Sequence, residues 1–270
     1  MPRNEAETRT QLIYPALQGR GWPADQIGEE RNAGPIYKVG RRYRHGQARV
    51  DYLLQVKIAG HTKLHPVAVI EAKQETASPI YGIEQGKAYA RRMNVLFVYS
   101  TNGHRFVEYD DTTGQTSAPK PMSEFPSPAA LRQRYEAHMG FTLDATQAEA
   151  LLTPYSTAGG GRRYYQDAAI RAALEKIAAG GNRILLTLAT GAGKTFIAVH
   201  LLKRLMDAGQ ITRALFVCDR TELRLQLDHR YQRPQSPGPG QPPRRPRPRS
   251  ALDASQEATR GHLCRCGRTQ

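Results

Sequence analysis

The chain has 270 residues, 39% hydrophobic and 23% charged, and 39 Lys and Arg against 24 Asp and Glu give a formal net charge of +15. That length suits about two globular domains. No apolar run reaches the roughly 18 residues of a membrane helix, and three cysteines are too few for a disulfide framework, which fits a reducing cytoplasm. The basic excess, part of it in the carboxyl-terminal tail, favours polyanionic partners through counterion release.

The opening, MPRNEAETRT, is polar and acidic, unlike a signal peptide. Leu12, Ile13, Ala16 and Leu17 recur at helical spacing, so 4–21 is predicted helical, with a bend or restart at Pro15. RVDYLLQV (49–56) reads as a strand, followed by the polar loop KIAGHTKLHP. PVAVIEAK (66–73) is an apolar run ending in charge, a buried strand surfacing at its carboxyl end. A helix is predicted over 80–93, a buried strand from Asn94 (NVLFVYS) and an edge strand from Arg105 (RFVEYD), with turns at TNGH and DDTTG. The order predicts a small α/β domain over 1–125.

A connector, 126–160, lies within and beyond a Pro-, Ser- and Ala-rich stretch, with a helix near 129–139 and the glycine-rich TAGGGRR. Over 161–232 the pattern is a helix (164–179), a strand RILLTL, the loop ATGAGKT (189–195), an amphipathic helix ending at Gly209, and a strand ALFVCD. That alternation predicts a βαβ unit on a parallel sheet, the start of a P-loop domain. From 233 to 270 the sequence is rich in Pro and Arg and poor in large apolar residues. A disordered tail is expected there, with an out-of-frame origin.

The first domain carries Asp51, Glu71 and Lys73. Glu71 and Lys73, two apart on a strand, share a face. If strands 49–56 and 67–73 pair as neighbours, Asp51 can lie beside them. Two carboxylates and a backbone carbonyl such as that of Ala72 make an oxygen-rich site suited to Mg²⁺. The metal would polarise a phosphate and acidify a water, with Lys73 stabilising developing charge. An Asp with a distant Glu-x-Lys is usually solvated surface charge; here the triad follows the buried run Val67–Ala68–Val69–Ile70. Gln85 and Tyr89 fall on one face of the next helix, where both can meet a phosphate or base.

In order along the chain, ETRTQLIYPALQGRGW, ARVDYLL, VAVIEAK, IEQGKAYA and VLFVYSTNG resemble the R (motor-nuclease) subunits of type I restriction enzymes. The resemblance implies a restriction-endonuclease-like PD-(D/E)xK domain in which Asp51, Glu71 and Lys73 cut and Gln85 and Tyr89 form the accessory Q-x-x-x-Y motif. It places Glu7 near the metal with Asp51 and Glu71, although a solvated helix charge explains Glu7 equally well. Val50 precedes Asp51 where the fold's motif has Pro. The implied partners are double-stranded DNA and the methyltransferase (M) and specificity (S) subunits.

ATGAGKT follows an expected strand and opens an expected helix, the setting of a phosphate loop. Thr190, Gly191, Ala192 and Gly193 would cradle phosphates through backbone N–H groups, Lys194 would reach the β- and γ-phosphates of ATP, and Thr195 would hold Mg²⁺. Leu188 stands where the strict eight-residue pattern has Gly, and the loop resembles the A-T-G-x-G-K-T form of superfamily 2 helicases. In that resemblance Arg163, Tyr165 and Gln166 read adenine, and LFVCDRTELRLQ corresponds to a motif touching the DNA backbone. Tyr164 and Cys218 read as packing residues. His262, Cys264 and Cys266 lack a fourth ligand and zinc spacing. The acidic pair that positions water in such motors is missing, so the chain reads as a truncated R subunit that does not hydrolyse ATP by itself. The rival readings are a non-catalytic DNA- and ATP-binding remnant and a fragment of another nuclease-helicase.

Overall fold

The computed structural model describes residues 2–32, 36–39, 42–45, 49–154 and 164–217, with 32, 36–39 and 42–45 described by backbone alone. Arg163, Cys218 and the residues that follow it, TAGGGRR, and the expected tail lie outside these. The described residues divide into two units, Met1–Ala192 and Gly193–Gln270.

The amino-terminal segment is helical in three pieces: α1 (Glu5–Thr8), a π-helical turn (Arg9–Ile13) and α2 (Tyr14–Gly19). Pro15 accounts for the break, since it has no N–H to close a regular turn on Gln11. The ladder widens just before it, with Tyr14 N–H donating to the Arg9 carbonyl.

Strands β1 (Ile27–Asn32), β4 (Arg49–Val56), β5 (His65–Ala72), β6 (Phe97–Thr101), β7 (Arg105–Asp110) and β8 (Gln115–Thr116) form the sheet in that spatial order. The short β9 (Lys120–Pro121) also pairs with β7, and β2 (Ile36–Val39) and β3 (Arg42–His45) make a separate hairpin. Among the described residues only the β5–β6 pair is parallel; the other ladders are antiparallel. A parallel pair needs a crossover, here supplied by α3 (Ile83–Met93). β4 coincides with the expected strand 49–56. β7 is more interior than expected: the edge reading missed β8 and β9, two-residue strands too short to show a period.

Alternation along β6 sends Val98 and Ser100 to one face, Phe97 and Tyr99 to the other. On the first face α3 packs Ile83, Tyr89 and Ala90 against Val69, Val98 and Val107. On the second, Tyr99, Phe106 and Phe125 cluster at ring separations of 4.6–5.8 Å, Phe106 edge-on to both partners, and Arg134 of α4 (Pro128–Met139) lies over Phe97. Helix α5 (Glu149–Leu152) precedes α6 (Tyr164–Ala178), which belongs to this unit too. Arg171 of α6 donates to the carbonyls of Met93 and Asn94, and its Glu175 accepts from Asn94 and Tyr135 at 2.9 Å each. Burial raises the Glu175 carboxyl above its ordinary range, while Arg171 opposes the rise.

The expected strand RILLTL and the described residues 214–217 of ALFVCD are corrected. Residues 183–188 and 214–217 form no ladder among the described residues, and Leu185 is 90% exposed. A strand has no stability without neighbours, and no described strand lies beside these. The following helix does form as α7 (Lys194–Asp207), ending before Gly209 at φ 69°.

Candidate active site

Asp51 sits one residue beyond the Tyr52–Ile70 pair of β4 and β5, which puts it alongside Glu71. Its Oδ2 accepts the Ala72 N–H at 2.8 Å, and its Oδ1 accepts Nη1 of Arg9 at 2.9 Å. Glu71 is 2% exposed. Its Oε1 takes Lys73 Nζ at 3.1 Å, and its Oε2 is buried with no hydrogen-bond partner. The Lys73 N–H donates to the Thr101 carbonyl, anchoring the end of β5 to β6. Burial, then the Asp51 charge, raises the Glu71 carboxyl to about 7, with Lys73 pulling the other way. Asp51, Glu71 and Lys73 thus come together at one rim of the sheet.

Two glycines let α3 descend onto this rim. A Cβ on Gly82, the residue before α3, would stand 2.3 Å from Ser100 Oγ and 2.9 Å from both Glu71 Cγ and Lys73 Cε. One on Gly86 would meet Val98 Cγ1 at 2.5 Å. Ser100 pairs with Glu71 across the parallel ladder, and its buried hydroxyl also lacks a partner. Gln85 Nε2 donates to the Tyr89 hydroxyl at 3.0 Å, so these two share a helix face as spacing predicts, with Gln85 exposed and Tyr89 buried.

Glu7 is placed differently. Its carboxylate accepts the Asn4 N–H at 3.0 Å, closing a capping box in which Asn4 Oδ1 accepts the Glu7 N–H. A carboxylate on an exposed helix start satisfies the orphan donors there. Among the described residues no cluster of three acids, histidines or cysteines is disposed to hold a metal.

Sequence reasoning missed Arg9, Glu30, Gly82 and Ser100. Gly82 and Ser100 had a readable signal, since each lies in a segment already tied to the site. Glu30 had none. It stands opposite Asp51 on β1, between the Glu29–Tyr52 and Arg31–Val50 pairs of an unbroken register, with a left-handed φ of 44°. Its carboxylate takes Arg9 Nη2 at 2.9 Å and Arg49 Nη1 at 3.0 Å, bonds that hold it below its ordinary range.

The phosphate-loop residues straddle the division between the units, Thr190, Gly191 and Ala192 closing the first and Gly193, Lys194 and Thr195 opening the second. Gly191 and Gly193 take the left-handed φ values of 79° and 88° that favour glycine. In the first unit the Ala192 carbonyl accepts Tyr165 OH at 2.9 Å and Gln166 Nε2 at 3.1 Å, so two of the expected adenine-reading residues lie against the loop. In the second, Lys194 begins α7.

The family described as the res subunit of type III restriction enzymes, a helicase-type domain, matches residues 161–240. The endonuclease subunit of the type I restriction enzyme EcoAI from Escherichia coli is 34% identical over 81% of this chain and 27% of its own length. That of EcoKI from Escherichia coli K12 is 30% identical over 82% of this chain and 23% of its own. The chain is a homologue of type I restriction endonuclease subunits. It spans about a quarter of the length of these relatives. A solved fragment of an HsdR subunit of a type I restriction enzyme from Vibrio vulnificus superposes with a TM-score of 0.63 at 35% identity, over 77% of this chain and 39% of that one. No helix among the described residues is long and apolar enough to cross a membrane.

Proposed function

We propose that residues 1–125 form a Mg²⁺-dependent DNA endonuclease of the PD-(D/E)xK type, joined through 126–160 to the start of an ATP-driven, RecA-like motor at 161–232. The observation that carries this reading is the meeting of Asp51, Glu71 and Lys73, with the buried Glu71 Oε2 lacking any protein partner. A buried carboxylate oxygen without a partner is costly, and a divalent cation removes the cost. The donor set fits: Asp51 Oδ1 and Glu71 Oε2 are hard oxygens of the kind Mg²⁺ selects. Glu7 supports capping rather than this site. When bound, the cation would polarise the scissile phosphate and lower the pKa of a water.

The chain's own residues set up the rest. The Ala72 N–H orients Asp51 so that one oxygen stays turned to the rim. Lys73, 17% exposed and tethered to Glu71, is positioned to stabilise charge developing on phosphate. Gln85 at the exposed start of α3 meets the DNA backbone, with Tyr89 fixing its amide. On the motor side Lys194 would meet the β- and γ-phosphates of ATP and Thr195 its Mg²⁺, with Tyr165 and Gln166 adjoining the loop. By kinship to the type I subunits, the substrate is double-stranded DNA and the partners are the M and S subunits.

The test is Mg²⁺-dependent nicking of plasmid DNA by the chain, alone and assembled with M and S subunits. Asp51→Ala and Lys73→Ala should each abolish cutting without altering the unfolding midpoint by more than a few degrees. Cutting that survives Asp51→Ala would reject the endonuclease reading.

A further inference from the structure

We propose that Arg9 is a phosphate-gripping residue of the nuclease site, parked on Asp51 until a divalent cation claims that carboxylate. The inference rests on the endonuclease reading and adds a residue to it.

Three independent devices aim this one side chain. The π-helical turn begins at Arg9, and wide turns of this kind concentrate at functional positions. The buried Tyr52, next to Asp51 on β4, donates its hydroxyl to the Arg9 carbonyl at 2.9 Å and fixes the backbone. Glu30, in a left-handed conformation that costs a non-glycine residue about 1 kcal/mol or more, holds Nη2 from the far side. Strain of that kind persists where the surroundings impose it, and here it brings a carboxylate to Arg9.

The guanidinium is therefore a fork with one tine on each acid, Nη1 on Asp51 Oδ1 and Nη2 on Glu30 Oε1, both at 2.9 Å. Asp51 Oδ2 is committed to the Ala72 N–H, so Oδ1 is the oxygen left for a metal. Arg9 and the cation compete for it. With the cation on Asp51 and Glu71, electrostatic repulsion releases Nη1 while Nη2 keeps its hold on Glu30. The freed N–H group would then stand one hydrogen bond from Asp51, free to donate to a non-bridging phosphate oxygen of DNA. A planar, permanently charged guanidinium suits that anion better than any other side chain, and its side chain, 21% exposed, reaches solvent.

The test measures binding in the full chain. Mn²⁺ affinity is read by calorimetry. Affinity for a short fluorescent DNA duplex is read in Ca²⁺, used to hold the complex without cutting, across a NaCl series. The proteins are the parent, Arg9→Gln, Arg9→Lys and Asp51→Ala, each checked by thermal unfolding. Arg9→Gln should bind Mn²⁺ at least as tightly as the parent, since the competitor is gone, yet bind the duplex about tenfold more weakly, with the log–log salt slope reduced by about 1. Arg9→Lys should keep the slope and recover part of the affinity. An unchanged duplex affinity and slope in Arg9→Gln overturns the proposal. So does an equal loss of Mn²⁺ and duplex binding, which marks Arg9 as a prop for Asp51 alone. If the parent binds no Mn²⁺, or Asp51→Ala binds it like the parent, the endonuclease reading falls and takes the proposal with it. If Asp51→Ala alone loses Mn²⁺ and Arg9→Gln behaves like the parent on DNA, only the proposal falls.

Discussion

The sheet of residues 49–110 and the phosphate-loop segment of 183–217 carry equally apolar strand sequences, yet only the first makes strands. VAVIEA of β5 is paired on both sides, antiparallel to β4 and parallel to β6, and covered by α3. ILLTL has no described partner, and its Leu185 is 90% exposed, as Val217 is 80%. A strand's hydrophobicity is a demand for neighbours; it becomes structure where the chain supplies them. The phosphate loop between those two segments still takes its left-handed glycines and starts its helix, because both are decided within a few residues.

The largest expected effect measures that contrast directly. Amides of β5 and β6 should exchange with deuterium on the order of a thousandfold or more slower than those of 183–188. In parallel, Leu54→Ala, at a fully buried position, should cost about 3 kcal/mol in denaturant unfolding. Leu185→Ala should stay within about 0.5 kcal/mol. Equal protection, or equal cost, would mean that 183–188 is packed as firmly as the sheet.

What was legible follows the same line. Elements with their own period were readable: the bounds of β4, the crossover helix, α4 and α6, and the break at Pro15. So was the convergence of Asp51, Glu71 and Lys73, because period-2 alternation and one assumed pairing suffice to bring them together. What depended on distant partners was not. After Ile27, β1 is the polar run GEERN and gains its place only by pairing with β4. Arg9 and Glu30 reach Asp51 from separate segments, through a π-turn and a left-handed residue that leave no mark in composition. Glu7 was assigned by kinship, whereas the local rule of the capping box describes where its carboxylate goes.

A smaller effect probes why the sheet's rim can hold a site at all. Gly82→Ala drives a methyl into the space of Ser100 Oγ, Glu71 Cγ and Lys73 Cε. Overpacking of this kind should cost about 2 kcal/mol, and the shift it forces on Glu71 should weaken Mn²⁺ binding severalfold. Gly114→Ala serves as the control. That glycine, unlike Gly82, is left-handed at φ 71° and has nothing within 4 Å of its Cβ position, so its cost is backbone strain and metal affinity should hold. Loss of metal affinity in both variants would detach the effect from the cradle.

The smallest expected effect separates folding from function within the rim itself. Burial and Asp51 raise the Glu71 carboxyl from 4.5 to about 7, so the folded chain holds this proton more tightly than the unfolded one. As pH climbs through that window the unfolded state binds fewer protons, and the metal-free fold loses stability, by on the order of 2 kcal/mol once pH exceeds 7. Glu71→Gln removes the charge but keeps the shape. Its unfolding midpoint without metal should match the parent at pH 5 and exceed it at pH 8, the gap widening between. Mg²⁺ at pH 8 should close the gap by raising the parent alone. A gap independent of pH, or one that Mg²⁺ leaves untouched, would show that Glu71 is an ordinary buried side chain, and the two regions would then differ in packing but not in chemistry.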